Sequence, residues 1–267
     1  MTQAERRLYL IRSLLNEKTE YQNLNVPRDA GEQRKLLRSL MNVRAPKAAD
    51  ESFLRVQNEY LQQELTDEGI TDLDDLQLVS GDLYLWQGDI TRLKCGAIVN
   101  AANSGMTGCY IPCHACIDNC IHTYAGVQLR LDCAALMAEQ GHEEPTGRAK
   151  ITKAYNLPCD YVLHTVGPIV SGRVTKEDER LLASCYRSCL ELAEQNGVQS
   201  IAFCCISTGV FHFPNERAAE IAVETVQRYK AETGSKIKVV FNVFKDADRE
   251  IYGRFLGTNW ATEARAW

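Results

Sequence analysis

Apolar residues along the chain fall into two regimes. Between Gln3 and about Leu78 they recur at helical spacing, as at Leu8, Ile11, Leu14 and Leu15 and again at Leu37, Leu40 and Met41. This predicts a small helical unit over residues 1–78, whose charged faces read as solvated surface and whose role is packing or partner recognition. From about Asp82 the period shortens to β-type runs, LYLWQ, GAIVNAA, YVLHTVG, SIAFCCI and KIKVVFNVF, separated by helical patterning near 116–139, 176–196, 215–230 and 246–256. Strands alternating with helices predict an α/β domain over residues 79–267, a layered sheet covered by helices. In such sheets ligands bind beyond the carboxyl ends of the strands, which directs attention to the loops after Ala102, Gly167 and Ile206. Neither an internal repeat nor a low-complexity segment interrupts the pattern.

Composition narrows the partners. With 267 residues, 45% of them hydrophobic and 24% charged, the chain suits one large domain plus a smaller attachment. A net charge of -5 lacks the basic footprint of a nucleic-acid binder, so no nucleic acid is expected, while a nucleotide-sized ligand remains open. No apolar run approaches the roughly 18 residues that span a bilayer, and the opening MTQAERRLYLIRSLLNEKTE carries charges throughout. The expectation is a cytoplasmic protein without a membrane partner, in which the eleven cysteines are thiols or metal ligands rather than disulfides.

Their distribution is informative. Cys109 to His122 reads CYIPCHACIDNCIH, four cysteines and two histidines in one segment. Thiolate and imidazole are preferred zinc ligands, and Cys109, His114 and Cys116 could converge on one ion if the loop folds back before a helix beginning near Cys116. Three ligands leave an open position, the mark of a catalytic rather than a structural site. Four other readings use the same residues. Cys109, Cys113 and Cys116 match the spacing that holds an iron–sulfur cluster in radical S-adenosylmethionine enzymes, although a strand and an Asn-bearing turn precede them here. Cys113 and Cys116 could form a redox pair, Cys120 could close a four-ligand structural zinc, or the thiols could simply be packed as small hydrophobes. Ligand type and context favour a metal, and zinc over iron–sulfur.

Two flanking loops add to this. GAIVNAANSGMTG presents Asn103 at a strand's carboxyl end, where its amide can bond sugar hydroxyls or, with Asn100, shape a turn. SIAFCCISTGVFHFPNERAAEIAVETV runs from a strand through Ser207, Thr208, Gly209, Val210 and Phe211 to a helix starting near Asn215. A small-residue loop of this kind exposes backbone N–H groups that can cradle a diphosphate, or it is an ordinary connection.

In order, Gly88-Asp89-Ile90-Thr91, Ile98-Val99-Asn100-Ala101-Ala102-Asn103, His164-Thr165-Val166-Gly167-Pro168 and Ser207-Thr208-Gly209-Val210-Phe211 resemble the signatures of the macrodomain fold, over about Asp82 to Leu256. The resemblance implies a three-layer α/β/α domain with a mixed central sheet. Hydrolase-type macrodomains carry a Gly-rich stretch where this chain has Cys109 to Cys116, while Ile117-Asp118-Asn119 and Ile121-His122 keep the tail of that pattern. This departure resembles the zinc-dependent microbial branch associated with sirtuin-type ADP-ribosyltransferases that modify lipoyl-carrier proteins of the glycine-cleavage H type. The branch implies zinc on Cys109, His114 and Cys116, with Cys113 and Cys120 outside the ligand set.

It further implies that Asp89 accepts from the adenine amino group with Ile90 supplying a backbone contact, that Ser207 to Phe211 wrap the diphosphate, and that Asn103 holds the distal ribose beside the metal. Asp118 takes the place of the acidic residue that positions or activates water, although a carboxylate in a helix's first turn is also favoured by about 0.3–1 kcal/mol without any catalytic part. His122 is expected to be structural. The implied activity is removal of mono-ADP-ribose from a modified protein by zinc-dependent hydrolysis; a non-catalytic ADP-ribose reader with a structural zinc is the alternative.

Overall fold

The computed structural model describes residues 1–21 and 23–258. Helix α1 (Gln3–Asn16) begins at a capping box, in which the Thr2 hydroxyl accepts from the Glu5 N–H and the Glu5 carboxylate accepts from the Thr2 N–H. Asp29 and Asp50 cap α2 (Ala30–Val43) and α3 (Glu51–Glu68) in the same sense, each accepting from the N–H three residues on. Their apolar stripes, among them Leu10, Ile11, Leu14, Leu37, Leu40, Phe53 and Tyr60, form a core of their own. That third helix lies in the segment predicted to be helical.

The sheet follows. Strands β1 (Thr71–Asp72), β2 (Leu78–Ser80), β3 (Leu83–Gln87), β4 (Leu93–Lys94) and β5 (Ala97–Ala102) precede helices α4 (Ile117–Ala125) and α5 (Val127–Gln140). Then come β6 (Ala149–Lys153), β7 (Tyr161–Val166), α6 (Lys176–Gln195), β8 (Ser200–Phe203), α7 (Asn215–Thr233), β9 (Lys238–Val243) and α8 (Asp246–Phe255). β1 and β4 pair separately, and the seven-stranded sheet has the order β2-β3-β9-β8-β5-β7-β6. Its five central strands are parallel while β2 and β6 pair antiparallel, so the sheet is mixed as expected.

Both faces are covered. Consecutive strand residues point to opposite faces. On β7, His164 approaches Cys133 of α5, whereas the next residue, Thr165, lies beside Cys185 of α6. Hence α5 and α6 lie on opposite sides, α4 packs on β5, and α7 packs between α6 and α8. Burial on both faces explains why β5, β7, β8 and β9 read as nearly unbroken apolar runs.

Four details depart from the sequence expectation. The segment expected to be helical to residue 78 ends sooner: α3 stops at Glu68, β1 and the start of β2 fall within it, and Leu73 joins the core of the sheet. β6, AKITK, is a half-exposed edge strand without the apolar run that marked the others. The helix expected over 116–139 is two helices broken at Gly126, whose φ of 98° suits glycine and where a Cβ would lie 2.6 Å from Gln57 Nε2 of α3. β8 ends at Phe203, short of Ile206, and pairs with β5 only through Ala97↔Ile201 and Ile98↔Ala202. These neighbours therefore share no ladder beyond Ile98 and Ala202 towards the carboxyl side of the sheet, the side on which ligands of open α/β sheets bind. Among the described residues no helix is long and apolar enough to cross a membrane.

Candidate functional site

All five parallel strands end on one side, delivering Gly88-Asp89, Asn103, Gly167, the segment to Ser207, and Phe244 to the same end of the sheet. At the centre is Asp118, in the first turn of α4 and buried. One of its oxygens accepts from Asn100 Nδ2 at 2.8 Å and the other from Asn103 Nδ2 at 3.2 Å. Desolvation pushes this carboxyl up to about 6 against the opposing pull of Asn100, Arg130 and Asn103. Asn103 also shapes its turn, its oxygen accepting from Gly105 N at 3.0 Å and its amide donating to Gly108 O at 3.2 Å. Of the two roles weighed for it in the sequence, turn shaping is therefore present, and the same amide also holds Asp118.

The segment between Asn103 and α4 is a loop that folds back as the cluster required. Cys109 Sγ lies 3.6 Å from His114 Nδ1, and the ligand atoms of Cys109, His114 and Cys116 all fall within 4.8 Å of one another. Cys116 is the N-cap of α4, its sulfur accepting from Asn119 N at 3.4 Å, a position where helix N–H groups favour a thiolate. Burial nevertheless pushes the metal-free thiol up to about 12, with the Asn119 N–H opposing.

The other two thiols point elsewhere. Cys113 Sγ is exposed and meets Ser39 Oγ at 3.2 Å, and Cys120 Sγ receives Arg38 Nη2 at 3.5 Å. The trio can therefore hold a cation without them, and no iron–sulfur triad of Cys109, Cys113 and Cys116 is assembled. Beneath the site, His122, Cys133 and His164 form a second, wholly buried grouping. His164 Nε2 bonds Thr152 Oγ1 at 2.9 Å while its Nδ1 faces the Asn100 amide at 3.1 Å. Burial drives the His164 pKa down to about 3 and that of His122 well below normal, so both are neutral core imidazoles.

Beyond β8 the loop from Ser207 to Phe213 closes on itself through Phe213 N to Ser207 O at 3.0 Å and His212 N to Gly209 O at 3.1 Å. Ser207 has a φ of 64° and is buried against Gly167, where a Cβ would stand 2.0 Å from Ser207 Oγ. Val170 N donates to Phe211 O at 2.9 Å, tying the two loops together. Among the described residues, the N–H groups of Gly209, Val210 and Phe211 donate to no protein acceptor. Pro214, not this loop, is the N-cap of α7, so these free amides belong to the loop and not to the helix end.

Asp89 caps a short 3-10 turn over Ile90–Arg92. Its Oδ1 takes both the Thr91 N–H, at 2.9 Å, and the Thr91 hydroxyl, at 2.7 Å. Oδ2 remains available. Phe244, one residue past β9 and 76% exposed, stands at this same end, its carbonyl bonded by Gln87 Nε2. Sequence reasoning did not single it out, although a large apolar residue just beyond a strand's carboxyl end is a signal in itself. Nor did it reveal that Asn100 holds Asp118, or that Arg38 and Asn42 of α2 reach the cysteine loop.

Residues 99–222 match the macro domain family. The chain is 62% identical over 260 residues to a protein-ADP-ribose hydrolase of Treponema medium, covering 96% of this chain and 100% of that one. It is 50% identical over 246 residues to a Staphylococcus aureus protein of the same name, covering 91% and 92%. Among solved structures, the Trypanosoma brucei macrodomain in complex with ADP matches with a TM-score of 0.65 at 30% identity, covering 82% of this chain and 96% of that one. Its complex with ADP-ribose gives 0.63 at 29%, covering 81% and 94%. Relatives this similar along nearly the whole chain, on a sheet of this order, place the protein in the macro domain family, among its protein-ADP-ribose hydrolases.

Proposed function

We propose that the protein is a zinc-dependent hydrolase that removes mono-ADP-ribose from a modified protein. The observation that carries this reading is the convergence of Cys109, His114 and Cys116 beside the amide-held Asp118. The donor set fits the ion: two sulfurs and an imidazole are ligands zinc prefers, and three of them leave a position open. The engagement of Cys113 and Cys120 with α2 supports the open set over a closed four-ligand site. Zinc bound there supplies Lewis acidity to an oxygen at that position.

The protein's own groups supply the rest. Asp89 Oδ2 accepts from the adenine amino group, with the Ile90 backbone next to it and the Phe244 ring offering an aromatic face to the base. The N–H groups of Gly209, Val210 and Phe211 donate to the diphosphate, while Ser207 and Thr208 fix the loop's shape; Thr208 Oγ1 donates to Cys205 O at 3.0 Å. A ligand so anchored carries its distal ribose to Asn103 and Asp118. There the Asp118 carboxylate, with its raised proton affinity, accepts a proton from water, and Asn100 and Asn103 keep its oxygens aimed. The resemblance of the Cys109–Cys116 segment supports a lipoyl-carrier protein of the glycine-cleavage H type as the modified partner and a sirtuin-type ADP-ribosyltransferase as the enzyme that modifies it.

The test is to incubate the zinc-loaded protein with mono-ADP-ribosylated carrier protein and follow the mass of the carrier. Loss of the modification with release of ADP-ribose is expected. Tight ADP-ribose binding with no loss of the modification from any linkage would make the protein a reader.

A further inference from the structure

Resting on the zinc reading above, we infer that helix α2 is part of the metal site, Arg38 and Asn42 being positioning residues that hold the Cys109–Cys116 loop in its ligand-ready shape. The loop has little structure of its own; within it, His114 N donates to Ile111 O at 3.2 Å. Most of its other bonds lead out. Arg38 Nη2 donates to His114 O at 2.8 Å and to Asn119 Oδ1 at 3.0 Å. Asn119 in turn donates from Nδ2 to Cys109 O at 3.3 Å and to Ile111 O at 3.0 Å, and from its backbone to Cys116 Sγ. One guanidinium therefore reaches the backbone of His114 directly and, through a single asparagine, the backbone of Cys109 and the sulfur of Cys116.

Asn42 grips the middle of the loop. Cys113 stands at a φ of 53°, a conformation most side chains avoid, and its N–H donates to Asn42 Oδ1 at 2.9 Å. Asn42 is itself buried and fixed to α4 through Thr123 Oγ1 at 2.9 Å. Arg130 of α5 completes the grip, donating to the carbonyls of Met41, Asn42 and Arg44 while its guanidinium lies 4.2 Å from the centre of the Tyr110 ring. A loop held this way has lost its conformational freedom during folding, so the ion does not have to order it. Arg38 and Asn42 lie outside residues 99–222, the span matched by the macro domain family, so this support comes from the helical unit.

The test uses the full chain, stripped of metal, as wild type, Arg38→Met, Arg38→Lys, Asn42→Ala and Cys116→Ala. Each is titrated with Zn2+ against a chelating indicator and with Co2+, whose thiolate charge-transfer absorption reports sulfur ligation. Arg38→Met and Asn42→Ala are expected to weaken both ions by roughly tenfold or more and to alter the cobalt spectrum, as loss of a group that orients a ligand does. Arg38→Lys, which restores a donor, recovers part of the affinity, and ADP-ribose binding stays as in the wild type. Folded variants with wild-type affinity and an unchanged spectrum would overturn the inference while leaving the zinc reading in place. A wild-type protein that takes up neither ion, or a Cys116→Ala variant that binds as tightly, would overturn the zinc reading and this inference with it. Hydrogen exchange needs no variant: the Cys113 N–H should already be protected in metal-free wild type, and fast exchange there refutes preorganisation.

Discussion

Asn100 donates one amide hydrogen to Asp118 at 2.8 Å and directs the other at His164 Nδ1, 3.1 Å away. His164 is neutral, and with Nε2 bonded to the Thr152 hydroxyl its Nδ1 is the acceptor. A relay of side chains thus runs from β6 through β7 and β5 to the acid at the head of α4, fixing the carboxylate from inside the core. Removing its last link should release the acid. Asn100→Ala is expected to lower the unfolding free energy by about 1.5–3 kcal/mol, the range for a hydrogen bond to a charged group, and to reduce kcat well beyond any change in ADP-ribose affinity. Denaturant unfolding and steady-state kinetics check it; wild-type turnover in this variant would deny the relay a part in catalysis.

At the other end of the cleft, Asp89 has one oxygen committed to Thr91 and one to offer. Asp89→Ala should weaken ADP-ribose by about 1.5–3 kcal/mol in calorimetry. Because the same substitution removes the cap of the Ile90–Arg92 turn, a melting curve is needed beside it. Unchanged affinity would move the adenine away from this strand end.

Two glycines in and beside the loop from Ser207 to Phe213 make a paired test. A Cβ on Gly167 would stand 2.0 Å from Ser207 Oγ and 2.8 Å from Ile206 Cγ2, whereas one on Gly209 would meet nothing within 4 Å. Gly167→Ala should therefore destabilise the protein by about 1–3 kcal/mol, the usual range for overpacking, and displace the loop. Gly209→Ala should melt with the wild type, so any affinity it loses belongs to the ligand. Equal melting temperatures for the two variants would mean that Ser207 yields without strain.

Much of this was legible in the sequence because it was local or doubly buried. Cys109, His114 and Cys116 lie within one short segment, so spacing could gather them, whereas Asp118, two residues on, was singled out by the resemblance of its segment to the macrodomain pattern. Strands β5, β7, β8 and β9 announced themselves because burial on both faces removes polar residues. β6 escaped notice because an edge strand alternates polar residues with few apolar ones. Arg38 was invisible for another reason. It is 76 residues from His114, and an arginine on an amphipathic helix reads as solvated surface until the fold shows what it touches. Phe244 likewise reads as the tail of its apolar run until β9 is seen to stop at Val243.

The ligand set can be tested cysteine by cysteine. Cys109→Ala, His114→Ala and Cys116→Ala should each lower bound zinc, while Cys113→Ala and Cys120→Ala, whose thiols bond to α2, should retain it. Elemental analysis of the purified variants decides this. A Cys113→Ala protein as metal-poor as Cys116→Ala would require a different ligand set.

The last prediction separates what the metal does from what the cleft does. In the proposed binding mode the adenine and diphosphate groups meet Asp89 and the Ser207–Phe211 loop, which follow β3 and β8, whereas the proposed zinc ligands sit on the loop ahead of α4. Interactions raise a rate only when they are stronger in the transition state than in the ground state, so a catalytic ion should matter little to the affinity of released ADP-ribose and much to the rate of its release. Chelated protein, or Cys116→Ala, is expected to keep ADP-ribose affinity within roughly one order of magnitude while losing turnover of the mono-ADP-ribosylated carrier by several, each 1.36 kcal/mol of lost stabilisation being a factor of ten. Circular dichroism confirms that the sample is folded, and restoring zinc to the chelated wild type should restore turnover. Parallel loss of binding and turnover would assign the ion to holding the cleft together, and full activity in a folded, zinc-free sample would remove the metal from the chemistry.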